Sequence, residues 1–255
     1  MQLHLFISIT MTQKPIVSLF IPCLVDQVYP EIGIDMAKVL NHLGYQIEYN
    51  NQQTCCGQPA FNAGQRDEAR KVATKFIEVF TAADVIVGPS GSCTAMVKNY
   101  YPTLFANDSL EDPALHLGRK IFEFSEFLAH EDQIKNISGQ FKGKVGFHNS
   151  CHSYRELGID HIPLNILQKI EGIEIVQPSG EPICCGFGGM FSFKFDEIAA
   201  TMAKTRIEMF TSLSADTIVT NDPGCLMHMR QEALDRRIDL KLLHLTEFLV
   251  QAIQL

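Results

Sequence analysis

Eight cysteines are the residues of this 255-residue chain whose type and spacing could do chemistry, because a thiolate is at once a nucleophile, a redox group and a soft metal ligand. They fall at Cys23, Cys55, Cys56 and Cys93, and again at Cys151, Cys184, Cys185 and Cys225: a single, an adjacent pair and a single, twice over. The first gaps are 32 and 33 residues, the second 37 and 40, and each pair runs into a glycine, Gly57 and Gly186. Composition alone predicts roughly 0.02 Cys-Cys-Gly triplets in such a chain, so two in corresponding places mark a duplication. A lone cysteine is ordinarily a small core residue. The repeated spacing reverses that reading.

Four converging thiolates are what a 4Fe-4S cluster requires, since each iron needs one soft ligand beyond its three sulfides. Zinc accepts the same set, but its structural sites are usually built from two short C-x-x-C knuckles, and neither half contains one. Thiol–disulfide exchange through the vicinal pairs is a third chemistry, and it needs exposed thiolates of low pKa. His148, His152 and His228 lie near the second set of cysteines only. They read either as hydrogen-bond donors to cluster sulfur, as replacements for a thiolate, or as loop fillers. Cys225-Leu226-Met227-His228 is the segment that would complete a zinc site in one half. Ser90 and Asp222, each three residues before a cysteine, read as helix caps, with Asp222 alternatively an oxygen ligand.

Apolar β-branched runs alternate with longer stretches of helical spacing, the pattern of an α/β protein with largely parallel sheets. In the first half, Ile16 to Ile21, Gln46 to Tyr49 and Val85 to Gly88 read as strands, with helices from Ile32 to Leu43 and Asp67 to Phe80. In the second, Val145 to His148, Ile173 to Val176 and Thr217 to Thr220 are strands, and Ile162 to Ile170 and Asp196 to Phe210 helices. Helices are also expected over Ile121 to Leu128 and Leu242 to Gln254. Each cysteine loop then follows a strand, and parallel strands joined by right-handed crossovers present all such loops on one edge. The expected organisation is two tandem pseudo-repeats, 14–138 and 139–255, each a parallel-sheet α/β unit with its cysteine loops at the carboxyl ends of the strands. Residues 1–13 form an N-terminal extension, and Met11 is a candidate start.

Other classes recede. With 21 Lys and Arg against 29 Asp and Glu, the net charge is −8, and no basic tract suits a phosphate backbone. No apolar run reaches the about 18 residues of a membrane span, and the first ten residues lack a basic secretory n-region. A cytoplasmic location is expected, where an even cysteine count does not imply disulfides. Gly186, Gly188 and Gly189 do not satisfy G-x-G-x-x-G, so close backbone approach to a cluster explains them better than a dinucleotide. Phe191, Phe193 and Phe195 alternate with polar residues, as in a core or edge strand. No Ser/His/Asp arrangement, P-loop or paired-carboxylate motif stands out, so a non-catalytic or co-catalytic subunit is expected.

The pattern resembles the CCG-domain, or cysteine-rich-domain, iron–sulfur proteins, over nearly the whole chain. Their motif is C, a gap of thirty-odd residues, CCG, a similar gap, then CxxC. The family includes the CCG-bearing subunit of heterodisulfide reductase and the glycolate oxidase iron–sulfur subunit. Cys55-Cys56-Gly57-Gln58-Pro59-Ala60-Phe61-Asn62-Ala63-Gly64, Gly88-Pro89-Ser90-Gly91-Ser92-Cys93 and Cys184-Cys185-Gly186-Phe187-Gly188-Gly189 look most like its short two-repeat branch, which serves lactate utilisation. One departure stands out: Ser90 and Asp222 occupy the places where many relatives have the first cysteine of CxxC, which favours an ordinary cubane over a noncubane cluster. The resemblance implies one or two 4Fe-4S clusters and electron transfer in a complex that oxidises L-lactate to pyruvate. It implies as partners a ferredoxin-type iron–sulfur protein and a third small subunit. Glycolate or another 2-hydroxy acid is the alternative substrate. A zinc-stabilised interaction module without redox activity is the alternative class.

Overall fold

In the computed structural model, which describes residues 14–255, two four-stranded sheets carry the chain. The expectation for residues 1–13 lies outside the described residues. The first sheet contains β1 (Val17–Leu19), β2 (Ile47–Glu48), β3 (Val85–Gly88) and β4 (Ile121–Glu123), in the order β2-β1-β3-β4. The second contains β5 (Gly139–His148), β6 (Ile170–Val176), β7 (Thr217–Thr220) and β8 (Lys241–His244), in the order β6-β5-β7-β8. Every pairing is parallel. Strands buried on both faces need continuous apolar or β-branched sequence, and Val-Ile-Val-Gly in β3 and Thr-Ile-Val-Thr in β7 supply it. Among the described residues, no helix is long and apolar enough to cross a membrane.

The main helices lie where the sequence periodicity put them, at Pro30–His42, Arg66–Phe80 and Asp196–Thr211. Two expected helices are corrected in the same way. Ile121 to Leu128 divides into β4 and a helix at Phe124–His130, and Leu242 to Gln254 into β8 and a helix at Leu245–Ile253. No glycine or proline separates strand from helix in either place, so the apolar run reads as one element. The helix start is set by a capping box: the Glu123 side chain accepts from Ser125 and Glu126 N–H while Glu126 accepts from the Glu123 backbone, and His244 with Glu247 repeats the device. The Phe191, Phe193, Phe195 stripe is corrected too. Phe191 and Phe193 fall in a short helix, Met190–Lys194, outside either sheet, Phe195 joins it to the next helix, and Phe193 is 87% exposed.

The halves share a core. One hydrophobic cluster joins Val17, Val87 and Phe124 from the first half to Val145, Phe147 and Phe248 from the second. Thr246 Oγ1 donates to Ile32 O across the junction at 3.1 Å. Nearer the strand ends, the Gly91–Ala95 helix packs on the Cys151–Arg155 helix so closely that a Cβ at Gly91 would stand 1.9 Å from Ser153 Oγ. Only glycine admits that approach.

Burial pushes the Glu123 carboxyl up to about 8 from its ordinary value of 4.5, and its Oε1 is buried without a partner. The folded state thus holds a proton that the unfolded chain releases, so this residue's contribution to stability falls as pH rises from about 4.5 through about 8. Glu123→Gln keeps a capping oxygen and removes the titration. Urea unfolding followed by circular dichroism over about four pH units, from roughly pH 4.5 to 8.5, should show the variant gaining on the wild type by on the order of a few kcal/mol. Parallel stability profiles would contradict a protonated Glu123.

Candidate metal centre

Each cysteine owes its place to a strand end. Cys23 opens the Cys23–Val28 helix just beyond β1, and Cys151 opens the Cys151–Arg155 helix just beyond β5, where Ser150 caps it. Cys93 sits in the Gly91–Ala95 helix after β3, and Cys225 in the Pro223–Asp235 helix after β7. Ser90 accepts from Cys93 N–H at 3.3 Å, and Asp222 Oδ1 from Gly224 N–H at 2.9 Å and Cys225 N–H at 3.4 Å, so both are caps as the sequence suggested. The pairs follow β2 and β6. There Gly57 (φ 82°) and Gly186 (φ 90°) turn the chain in the left-handed region and donate N–H to Cys55 Sγ at 3.4 Å and Cys184 Sγ at 3.3 Å. A Cβ at Gly186 would lie 2.6 Å from Ala199 O, which adds a steric reason for glycine in this position.

The four sulfurs of each set converge. Cys23 and Cys55 Sγ are 3.7 Å apart, and Cys185 and Cys225 Sγ 3.1 Å. Cys56 bridges Cys55 to Cys93, and Cys184 bridges Cys151 to Cys185. All eight are free thiols, and Cys56, Cys185 and Cys225 are buried. Crowding makes the thiols of each set share protons. The Cys55 thiol is drawn down to about 3 by donation from Cys23 and then Cys56, while those two are raised because each commits its proton to Cys55. In the second set Cys184 is drawn down to about 2 by Cys151 and Cys185, which are raised in turn. Such sets offer soft, partly ionised sulfur to a metal.

Both sets face one cavity. Its volume is about 190 Å³ and all eight cysteines line it. A single water needs only about 15 Å³, so the space suits polyatomic groups better than one ion. Asp222 ties the sets together, for its Oδ2 accepts from Ser92 N–H at 2.9 Å and from Ser90 Oγ at 3.3 Å, across the junction.

The histidines part company. His152 lines the cavity, with Nδ1 3.6 Å from Cys151 Sγ and Nε2 3.3 Å from Gln58 Nε2 of the first half. His228 does not complete a zinc set with Cys225: its Nε2 lies 3.0 Å from Ala199 O, the carbonyl of a neighbouring helix. His148 instead groups with Cys185 and Cys225, one ligand atom from each lying within 4.8 Å of the others. Burial, then the charge of Arg206, pushes its imidazole down to about 3, so it is neutral. Arg206 itself was not anticipated. Its signal was a charged residue in the buried stripe Ala199, Ala203, Arg206, Ile207, Phe210 of a helix that is otherwise apolar on that side.

The sequence profile of the CCG family, described as a cysteine-rich domain, matches residues 17–98 and 145–230. Among known proteins, Lactate utilization protein A of Oceanobacillus iheyensis is 38% identical over 234 residues, 91% of this chain and 96% of that one. The protein of that name from Halalkalibacterium halodurans is 37% identical, over 91% and 96%. Lactate utilization protein A 2 of Bacillus cereus is 36% identical, over 93% and 98%. Among solved structures, a putative Asp/Glu racemase from Yersinia pestis aligns with a TM-score of 0.39 and 12% identity, over 92% of this chain and 96% of that one.

Asp222 both caps a helix and bridges the halves, so Asp222→Ala should lower stability by about 2 to 4 kcal/mol, from a lost cap and a lost charged hydrogen bond. Asp222→Asn keeps one acceptor and should lose about half as much. Urea unfolding of the two variants under reducing, anaerobic conditions measures both. Equal, negligible losses would mean that the bridge contributes nothing.

Proposed function

The chain belongs to the CCG cysteine-rich domain family, and on that premise we propose that it is an iron–sulfur electron-transfer subunit of a cytosolic complex that oxidises L-lactate to pyruvate. The observation behind this reading is the convergence of two four-thiol sets on one cavity. Cys151, Cys184, Cys185 and Cys225 hold one 4Fe-4S cluster, and Cys23, Cys55, Cys56 and Cys93 hold a second. The donor set fits, because four soft thiols per half match the four irons of a cubane and the glycine N–H groups already donate to sulfur. A bound cluster supplies one-electron storage.

The relatives described above are Lactate utilization proteins, which supports lactate as the substrate of the complex. Oxidation of lactate to pyruvate releases two electrons and two protons, and the titratable side chains at the cavity other than the cysteines are already engaged, His152 with Cys151 and Gln58 and Asp222 with four hydrogen-bond donors of the two halves. The substrate site therefore belongs to a partner. A ferredoxin-type iron–sulfur protein and a third small subunit complete the complex. The grouping of His148 with Cys185 and Cys225 supports a rival reading, a zinc-stabilised interaction module without redox activity.

Metal analysis separates the two. The chain purified anaerobically should be brown and carry about eight iron and eight acid-labile sulfide, and Cys185→Ala about half of each. Zinc without iron, or unchanged iron in the variant, would overturn the assignment. A strain lacking the protein should lose growth on L-lactate and keep growth on pyruvate, given no second lactate oxidase. The isolated chain should not oxidise lactate with an artificial acceptor, whereas reconstitution with both partners should. Failure of that reconstitution would remove lactate as the substrate and leave the clusters standing.

A further inference from the structure

The two cysteine sets are alike, but the residues behind them are not. Val17 pairs with Val85 as Val145 pairs with Thr217, so Phe20 and His148 occupy the same place, each three residues before the first cysteine of its set. The flanking helices also match. Ala69, Ala73, Phe76, Ile77 and Phe80 are buried in one and Ala199, Ala203, Arg206, Ile207 and Phe210 in the other, at identical spacing. Phe76 is thereby matched by Arg206.

In the first half this pair of places is aromatic, with Phe20 and Phe76 edge to face at 4.8 Å between ring centroids. In the second half it is polar. Arg206 Nε donates to His148 Nδ1 at 2.9 Å. The arginine is 3% exposed, its guanidinium lies 4.4 Å from the Phe210 ring centroid, and it joins no ion pair among the described residues. Asp160 and Glu181 border the same outer cavity as Arg206 without pairing with it. A guanidinium only donates, so His148 Nδ1 accepts and the neutral ring carries its proton on Nε2. That nitrogen is buried and has no partner.

We infer that the His148–Arg206 pair gives the second cysteine set a higher reduction potential than the first, where Phe20 and Phe76 stand in its place. The inference rests on the reading that each set holds a cluster. Reduction adds negative charge at the sulfurs, and the His148 ring grouped with Cys185 and Cys225, with an unspent Nε2–H and the buried Arg206 cation hydrogen-bonded to its other nitrogen, stabilises that charge, whereas aromatic rings do not. The Asp222 carboxylate, whose charge bears on Cys151 and Cys225, opposes the difference, but four hydrogen bonds, two from each half, already engage that charge. An electron shared between the sets therefore resides on the second.

Redox titration of the anaerobically purified full chain, followed by electron paramagnetic resonance, tests this. The wild type should show two midpoints, and the higher should be the one lost in Cys185→Ala. Arg206→Met should lower that midpoint and leave the other in place, moving the electron's partition by about tenfold or more, about 59 mV for a one-electron couple. Arg206→Lys, which keeps the charge, should retain most of the wild-type value. His148→Phe, which copies the first half, should shift the same midpoint in the same direction and serves where Arg206→Met does not fold. Iron and sulfide are measured on every sample. Full iron with unmoved midpoints, or both midpoints moving together, overturns the inference and leaves the cluster reading intact. Loss of the second cluster from both Arg206→Met and His148→Phe gives the pair a structural role only and also overturns it. A wild-type chain without iron overturns the cluster reading and this inference with it.

Discussion

Thiolates repel one another, and this chain gathers eight sulfurs around one cavity. Without a metal, most of them must keep their protons, because several anions a few ångströms apart in a half-buried space lack the solvation that water would give. The structure answers this in each set by letting one central sulfur, Cys55 or Cys184, collect donations from its neighbours and from a glycine N–H. Cys23 and Cys56 in the first set, and Cys151 and Cys185 in the second, hold their protons more tightly. Metal binding to such a set releases protons and adds to the stability of the folded state, so folding and loading are coupled.

That constraint explains the architecture around the cavity. Parallel strands deliver all six cysteine loops to sheet edges, and the tight contact at Gly91 with the bridging carboxylate of Asp222 brings the two edges together. Asp222 is a structural group: one oxygen caps the helix that carries Cys225 and the other reaches the helix that carries Cys93. Four thiols per half remain, the number an ordinary cubane takes.

Duplication made the halves alike in topology, in the glycine turn after each cysteine pair and in the capped short strand that ends each sheet. Behind the sulfurs the halves differ. An aromatic contact in one half and a histidine–arginine contact in the other fill the same two places, so two sites built on one plan meet different electrostatic surroundings.

The sequence by itself determined the α/β class, the two repeats and the identity of the thiols, because buried parallel strands need continuous apolar runs and the cysteine spacing recurs with a glycine after each pair. It offered the caps as well, since Ser90 and Asp222 stand where a helix start needs an acceptor, but left Asp222 open between cap and oxygen ligand. It did not reveal β4 and β8, for a strand that runs into a helix without a loop shows one apolar stretch and no change of period. Only the tertiary structure decided which histidines face the sulfurs, His148 beside Cys185 and Cys225 and His152 beside Cys151. His148, His152 and His228 look equivalent along the chain, yet strand register buries His148 beside Cys185 while a helix carbonyl engages His228. The tertiary structure alone also decided that eight cysteines share one cavity and that Arg206 stands behind half of them. Those facts depend on how two sheets dock and which helix face turns inward, and local spacing carries no information about either.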